Sequence, residues 1–183
     1  MIELRVHGRG GQGNVTLAEL IAMSAFYDGK SSQTFPMFGV ERKGAPVVAF
    51  VKIDNKFIRS REQIYGPDFI IIQDPGLLKA AEPLAGAKRN TVVLINSSKL
   101  PAKACPNYTG KAYCVPALDI ALKTIGKPII NTAMLGAFVK ISGLIKLKSA
   151  IKAIQKKLEE KYGKEIIDKN YLAFEAAYKA TKK

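Results

Sequence analysis

The feature that most constrains this chain is a glycine-rich turn set between a strand pattern and a helix pattern at its start. Ile2 to Val6 alternates apolar with charged residues, the period of a half-buried strand. Gly8-Arg9-Gly10-Gly11-Gln12-Gly13 follows, with G-x-G-x-x-G spacing. Val15, Ala18, Leu20, Ile21, Ala22 and Ala25 then recur at helical spacing as far as Gly29. Asn14 is placed to cap that helix, its side-chain oxygen accepting a free N–H of the first turn. Glycines in such a turn allow φ > 0 and let an anion approach bare N–H groups at the positive end of a helix. Two readings stand beside each other: a loop that cradles a ligand, and a tight strand–helix turn that needs glycine for its geometry alone.

The rest of the chain continues the alternation of strands and helices. Ser32 to Phe35 is a short strand stopped by Pro36, and Pro46 to Ile53 is a longer one. Asp54-Asn55-Lys56 is expected to turn the chain back into Phe57-Ile58 as a hairpin. The runs within Asp68–Gln73 and Thr91–Asn96 suit strands buried on both faces of a parallel sheet, and Tyr113–Val115 is a third. Helices are expected over Leu77–Leu84, Leu118–Ile125, Asn131–Ser142, Lys148–Tyr162 and Lys169–Thr181, with Lys99–Gly110 a loop. Residues 1–183 therefore describe one α/β domain, three-layered and Rossmann-like, with a mostly parallel, mixed sheet and helices on both faces. The longest apolar runs fall far short of the roughly 20 residues that span a bilayer. The opening segment enters a strand without a signal-peptide pattern, so a cytoplasmic location is expected.

Charge and residue inventory narrow the chemistry. The net charge is +14, and eleven lysines face five acids from Ile141 onward. These lysines fall at helical spacing without the aromatic or arginine clustering of a nucleic-acid reader, which favours a solvated helix face turned toward acidic subunits over a nucleic-acid surface. Two cysteines, Cys105 and Cys114, and one histidine, His7, supply too few ligands for zinc or an iron–sulfur cluster. The cysteines are expected as buried thiols rather than a disulfide. His7 beside the turn is expected to be structural rather than a proton carrier, and no Ser/His/Asp or Cys/His set suggests a nucleophile. A free-standing NAD(P) oxidoreductase would want an acid at the end of its second strand. That strand ends Thr34-Phe35-Pro36, although Arg42 and Lys43 leave an NADP phosphate open. A basic nucleic-acid-binding protein is the other alternative.

The sequence resembles a known family over nearly its whole length. GRGGQG after an N-terminal strand, Phe38 to Ile53 (FGVERKGAPVVAFVKI), Pro67 to Pro75 (PDFIIIQDP), Asn131 to Gly136 (NTAMLG) and Asn170 to Tyr178 are together similar to the gamma subunit of 2-oxoacid:ferredoxin oxidoreductases, above all the pyruvate enzyme. It departs at Lys43, where arginine is common, keeping the charge but not the planar fork. It departs again at Ala177, where glycine is frequent. The resemblance implies a non-catalytic partner in a complex that converts pyruvate and CoA to acetyl-CoA, CO2 and reduced ferredoxin, reversibly. Thiamine diphosphate with Mg would lie between alpha and beta subunits, and iron–sulfur clusters on a delta subunit or ferredoxin-like domain. The gamma chain, with no cofactor of its own, would pack on that core and help hold CoA near the thiamine. The candidate ligand residues are then Gly8, Gly10, Gly11, Gln12 and Gly13, the block Glu41, Arg42, Lys43 and Gly44, and Asn131. Gln12 serves equally as a turn-stabilising residue, the Glu41–Gly44 block as a surface salt-bridge loop, and Asn131 as an N-cap.

Overall fold

A computed structural model describes residues 1–37 and 44–182. Its centre is a six-stranded sheet made of β1 (Ile2–Arg9), β2 (Ser31–Pro36), β3 (Pro46–Asp54), β4 (Phe69–Ile72), β5 (Val92–Asn96) and β6 (Lys111–Val115), in the order β2-β3-β1-β4-β5-β6. β1, β4, β5 and β6 run parallel, with Leu4 opposite Phe69 and Phe69 opposite Val92. β3 runs antiparallel to both β1 and β2.

The expected hairpin after β3 does not form. Asp54 instead accepts the Lys56 N–H at 3.1 Å, a local turn that sends the chain off the sheet edge. Ile58 and Ile64 are then buried, 4% and 2% exposed. The hairpin in the fold is β2 with β3. It moves Pro36 to the outer edge of the sheet, where a missing N–H costs no ladder bond.

The two faces are covered unequally. Helices α1 (Asn14–Tyr27), α4 (Ala117–Thr124), α5 (Asn131–Ser142), α6 (Leu147–Glu159) and α7 (Lys164–Ala180) share one core with Leu4, Val6, Ala49, Val51, Ile71 and Leu94. α1 lies against β1, β2 and β3, while α6 packs on α1 and α7 on α5. Among the described residues, the one-turn helices α2 (Leu77–Ala80) and α3 (Pro101–Ala104) lie on the second face, where Leu84, Ala87 and Tyr108 also pack over Ile70, Ile72, Val93 and Ile95. α2 stops well short of Leu84: Glu82 has φ 43 and Pro83 cannot continue a helix. α3 occupies part of the segment expected as loop, with Pro101 at its first position, where the absent N–H is no loss. α7 begins at Lys164 rather than Lys169, because Gly163 and an acidic first turn (Glu165) already open it.

The lysine-rich C-terminal face is partly tied up within the chain. Lys157 pairs with Glu19 at 2.7 Å, Lys169 with Glu165 at 2.6 Å, and Lys156 with Glu159. Lys152 lies over the Tyr27 ring and Lys140 over Tyr178, at 4.6 and 4.8 Å from the ring centres. Among the described residues no helix is long and apolar enough to cross a membrane.

Candidate functional site

β1 hands the chain to α1 on one face, whereas β4 hands it to α2 on the other. Between the carboxyl ends of two such strands an α/β sheet opens a crevice, the usual ligand position in open sheets. Its walls here are Gly8–Gly13 and Gln73-Asp74. Gly13 is the N-cap of α1, with φ 75, and no side chain caps the helix. Among the described residues, the N–H groups of Gly11, Gly13, Asn14, Val15 and Thr16 have no acceptor. Gly11 has φ 89, and a Cβ placed on it would meet nothing within 4 Å, so the backbone there is open to an approaching group. Gly13 is the opposite case: a Cβ would fall 2.5 Å from Asn131 Nδ2. Glycine is thus required at Gly11 by conformation and at Gly13 by conformation and space together.

Side chains lace the two walls together. Arg9 Nε donates to Asp74 Oδ2 at 2.6 Å, and Gln12 Nε2 reaches the same oxygen at 3.3 Å. Gln12 Oε1 accepts the Arg9 N–H at 2.8 Å, so its amide serves the turn at both ends. Partial burial alone would raise the Asp74 carboxyl, but bonds from Arg9, the Gly76 N–H and Gln12 hold it below the usual carboxylate range. The crevice therefore holds a closed Arg9–Asp74 ion pair on one side and, on the other, N–H groups that have no acceptor among the described residues.

Below this lies a buried amide chain. Asn96 Nδ2 donates to the Gln73 carbonyl at 3.0 Å, and Gln73 Nε2 donates to Asn131 Oδ1 at 3.3 Å. Gln73 is 1% exposed, and its Oε1 has no partner. A Cβ on Gly8 would come within 3.0 Å of that oxygen, so Gly8 lets the amide sit directly beneath the turn. Neither asparagine is the cap expected of it. Ile130 occupies the N-cap of α5, and Asn131, its first helical residue, turns its side chain to Gln73 and Gly13. Asn14 is likewise inside α1 and donates to the Val47 carbonyl at 3.1 Å, fastening the helix start to β3.

Of the second element, Glu41, Arg42 and Lys43 lie outside the described residues. Gly44 lies inside them and against the turn: its N–H donates to the Gly10 carbonyl at 3.2 Å, the Gly10 N–H donates to Ala45 at 2.9 Å, and Arg9 Nη1 donates to the Gly44 carbonyl at 3.2 Å. The structure thus brings Gly8, Gly10, Gly11, Gln12, Gly13, Gly44 and Asn131 together. Sequence reasoning did not single out Arg9, Gln73, Asp74 or Asn96. The signal for three of them was the polar step that ends each buried strand, FIII into Gln73-Asp74 and VVLI into Asn96; Arg9 sits inside the turn itself.

His7 is half-buried, and that desolvation, with Arg5 nearby, lowers its pKa to about 4. It is neutral at physiological pH with Nε2 unpartnered, which suits a structural residue and not a proton carrier. Cys105 is buried and Cys114 half-buried; both are free, and burial together with Cys105 pushes the Cys114 thiol up to about 11. Among the described residues no three His, Cys, Asp or Glu side chains converge to hold a metal ion.

Residues 3–180 match the family model for pyruvate ferredoxin/flavodoxin oxidoreductase. The chain is 46% identical over 182 residues to pyruvate synthase subunit PorC of Methanothermobacter marburgensis, covering 100% of this chain and 98% of that one. It is 45% identical over 184 residues to the common gamma subunit of the pyruvate/ketoisovalerate oxidoreductases of Thermococcus kodakarensis, covering 99% and 97%. Its fold superposes on the crystal structure of the pyruvate oxidoreductase subunit PORC of Thermotoga maritima with a TM-score of 0.87 and 34% identity, covering 99% and 97%.

Proposed function

The chain belongs to the pyruvate ferredoxin/flavodoxin oxidoreductase family, and from that premise we propose that it is the gamma subunit of a pyruvate (2-oxoacid):ferredoxin oxidoreductase. In the assembled enzyme, pyruvate is oxidatively decarboxylated with CoA to acetyl-CoA and CO2 while ferredoxin is reduced, and the reaction runs in either direction. Thiamine diphosphate, Mg and the iron–sulfur clusters reside on the alpha, beta and delta subunits, where they supply the decarboxylation and electron transfer. This chain contributes binding and assembly in the cytoplasm.

The observation that supports the reading is the set of N–H groups of Gly11, Gly13, Asn14, Val15 and Thr16, which have no acceptor among the described residues and stand at the strand ends of a full-length family member. A helix start with an open glycine turn complements phosphate oxygens, by hydrogen bonding and by the helix dipole. CoA is the phosphorylated substrate of the reaction, so its phosphates are assigned to this turn, with Gly44 alongside and Arg42 and Lys43 supplying positive charge. Asn131 sets the floor beneath Gly13. The Arg9–Asp74 pair and Gln12 shape the turn in advance, so that little is reordered on binding. Selection of the 2-oxoacid falls to the other chains. The Thermococcus relative, named as common to pyruvate and ketoisovalerate oxidoreductases, fits that division.

A sheet in which antiparallel β3 separates β2 from β1 speaks against a dinucleotide dehydrogenase, whose second strand lies beside the first. Reconstitution tests the proposal. The isolated chain should show no pyruvate oxidation even with thiamine diphosphate added. Combined with purified alpha, beta and delta chains it should restore CoA-dependent reduction of ferredoxin or a viologen dye. Activity in the isolated chain, or full activity without it, would refute the assignment.

A further inference from the structure

A second concavity lies beside the crevice, on the helical side of the fold. The α4–α5 connection, the end of α6 and the start of α7 enclose a groove of about 610 Å³. Ile129, Tyr162 and Ile166 line it while remaining 44%, 47% and 40% exposed. Single exposed apolar residues need no explanation, but three that converge from separate elements onto one concavity mark an interaction surface. Lysines stand around them. Lys157 and Lys169 already hold Glu19 and Glu165, whereas Lys127 and Lys161 have no ion-pair partner among the described residues; Glu160 is the remaining acid of the lining.

The chemistry points to a chain segment rather than a small anion. Ammonium groups on flexible stems attract charge without orienting it, and the lining offers no guanidinium fork to grip a phosphate. An apolar centre ringed by charged side chains is the anatomy of a protein interface. The excess of lysine at the rim and the net charge of +14 select an acidic occupant. Asn131 belongs to the lining of this groove and also lies against Gly13, so the groove and the glycine turn share this residue.

We propose that the groove receives an acidic segment of one of the other subunits, with apolar side chains seated on Ile129, Tyr162 and Ile166 and carboxylates reaching Lys127 and Lys161. The proposal rests on the gamma-subunit reading. Binding of the full chain to the purified alpha–beta–delta assembly tests it, using Lys127→Glu with Lys161→Glu, and separately Ile166→Ser. A matched control reverses Lys56 and Lys148, exposed lysines remote from the groove. Circular dichroism melts should stay unchanged, since all these side chains face solvent. Both groove variants should bind at least about tenfold more weakly, with the control within about threefold of the unaltered chain. Hydrogen exchange over residues 125–130 and 157–170 should slow on assembly. Unchanged affinity of the groove variants, or exchange there as fast as in the free chain, overturns the proposal while leaving the gamma-subunit reading intact. Groove protection by a single-stranded oligonucleotide but not by the subunits overturns it in favour of nucleic acid. Failure of the unaltered chain to bind the assembly overturns both.

Discussion

Gly136, within the Asn131–Gly136 segment, sits where α5 crosses α7, and its replacement by alanine sets two effects of known sign against each other. In a helix interior, alanine is favoured over glycine by about 1 kcal/mol. The new Cβ, however, would lie 2.2 Å from the Phe174 carbonyl oxygen and 3.0 Å from its carbon. Both obstructing atoms are backbone of α7, so no side chain can swing aside. To reach ordinary contact near 3.3 Å, the helices must part by roughly 1 Å. That gap falls in a layer where Ala133, Ala137, Phe138, Ala173, Phe174 and Ala177 are all 0% exposed. Overpacking of this kind costs about 3 kcal/mol at the upper end of its usual range. The net effect expected is a loss of about 2 kcal/mol, which for a domain of this size lowers the melting temperature by about 4–8 °C. Differential scanning calorimetry of the isolated chain measures it. A melting temperature that rises by a few degrees would mean that propensity outweighs the clash, and that α7 is not pinned to α5 as described.

Two further outcomes concern ionisable side chains of β1 and β3. His7 titrates near 4 in the folded chain, lowered by burial and by Arg5, against 6.5 for the free group. The unfolded chain therefore binds the extra proton between those values, so stability is full above pH 6.5 and falls toward pH 4, by at most about 3 kcal/mol. Urea midpoints at about pH 7.5 and about pH 4.5 should differ less in His7→Gln than in the parent chain, and an equal difference would rule out His7 as the cause. Lys52 is 2% exposed, with Glu3 at 3.6 Å and Ser60 Oγ at 3.3 Å. Lys52→Met removes a buried charge and should be neutral or stabilising, whereas Glu3→Leu strands that charge and should cost about 3–5 kcal/mol; chemical denaturation of both variants reads the asymmetry, and equal losses would contradict it.

How far the sequence carried is best seen residue by residue. The alternation of Ile2–Val6, the glycine turn and the FIII and VVLI runs announce strands and a helix because their periods are local, and the parallel sheet follows from them. Asp54-Asn55-Lys56 announces a turn, and a turn forms; that the chain then leaves the sheet, with Ile58 and Ile64 buried, depends on tertiary packing that no local pattern encodes. Asn14 and Asn131 have the composition of caps, yet tertiary partners (the Val47 carbonyl and the Gln73 amide) claim their side chains. The glycine turn is visible in the sequence as a candidate ligand loop or a tight structural turn, but Asp74, 65 residues away from Arg9, joins it only through sheet register. The lysine-rich end was expected to face other subunits. Part of it pairs with its own glutamates and tyrosines, while Lys161 at the groove, like Lys148 and Lys164 outside it, has no ion-pair partner among the described residues.

The most direct test of the account is the CoA dependence of the reconstituted enzyme carrying Gly11→Ala or Arg42→Ala, in complexes of verified stoichiometry. A Cβ on Gly11 clashes with nothing in the free chain, so Gly11→Ala leaves assembly possible while straining a φ of 89 and obstructing the open backbone. Loss of one charge-assisted bond at Arg42 is worth about 1.5–3 kcal/mol, or about 10- to 150-fold in affinity. The account predicts that the KM for CoA rises in both variants, within that range for Arg42→Ala, while the KM for pyruvate, which reacts on other chains, barely moves. CoA kinetics unchanged in both, with only assembly or thermal stability affected, would contradict it and leave the glycine turn as a structural joint.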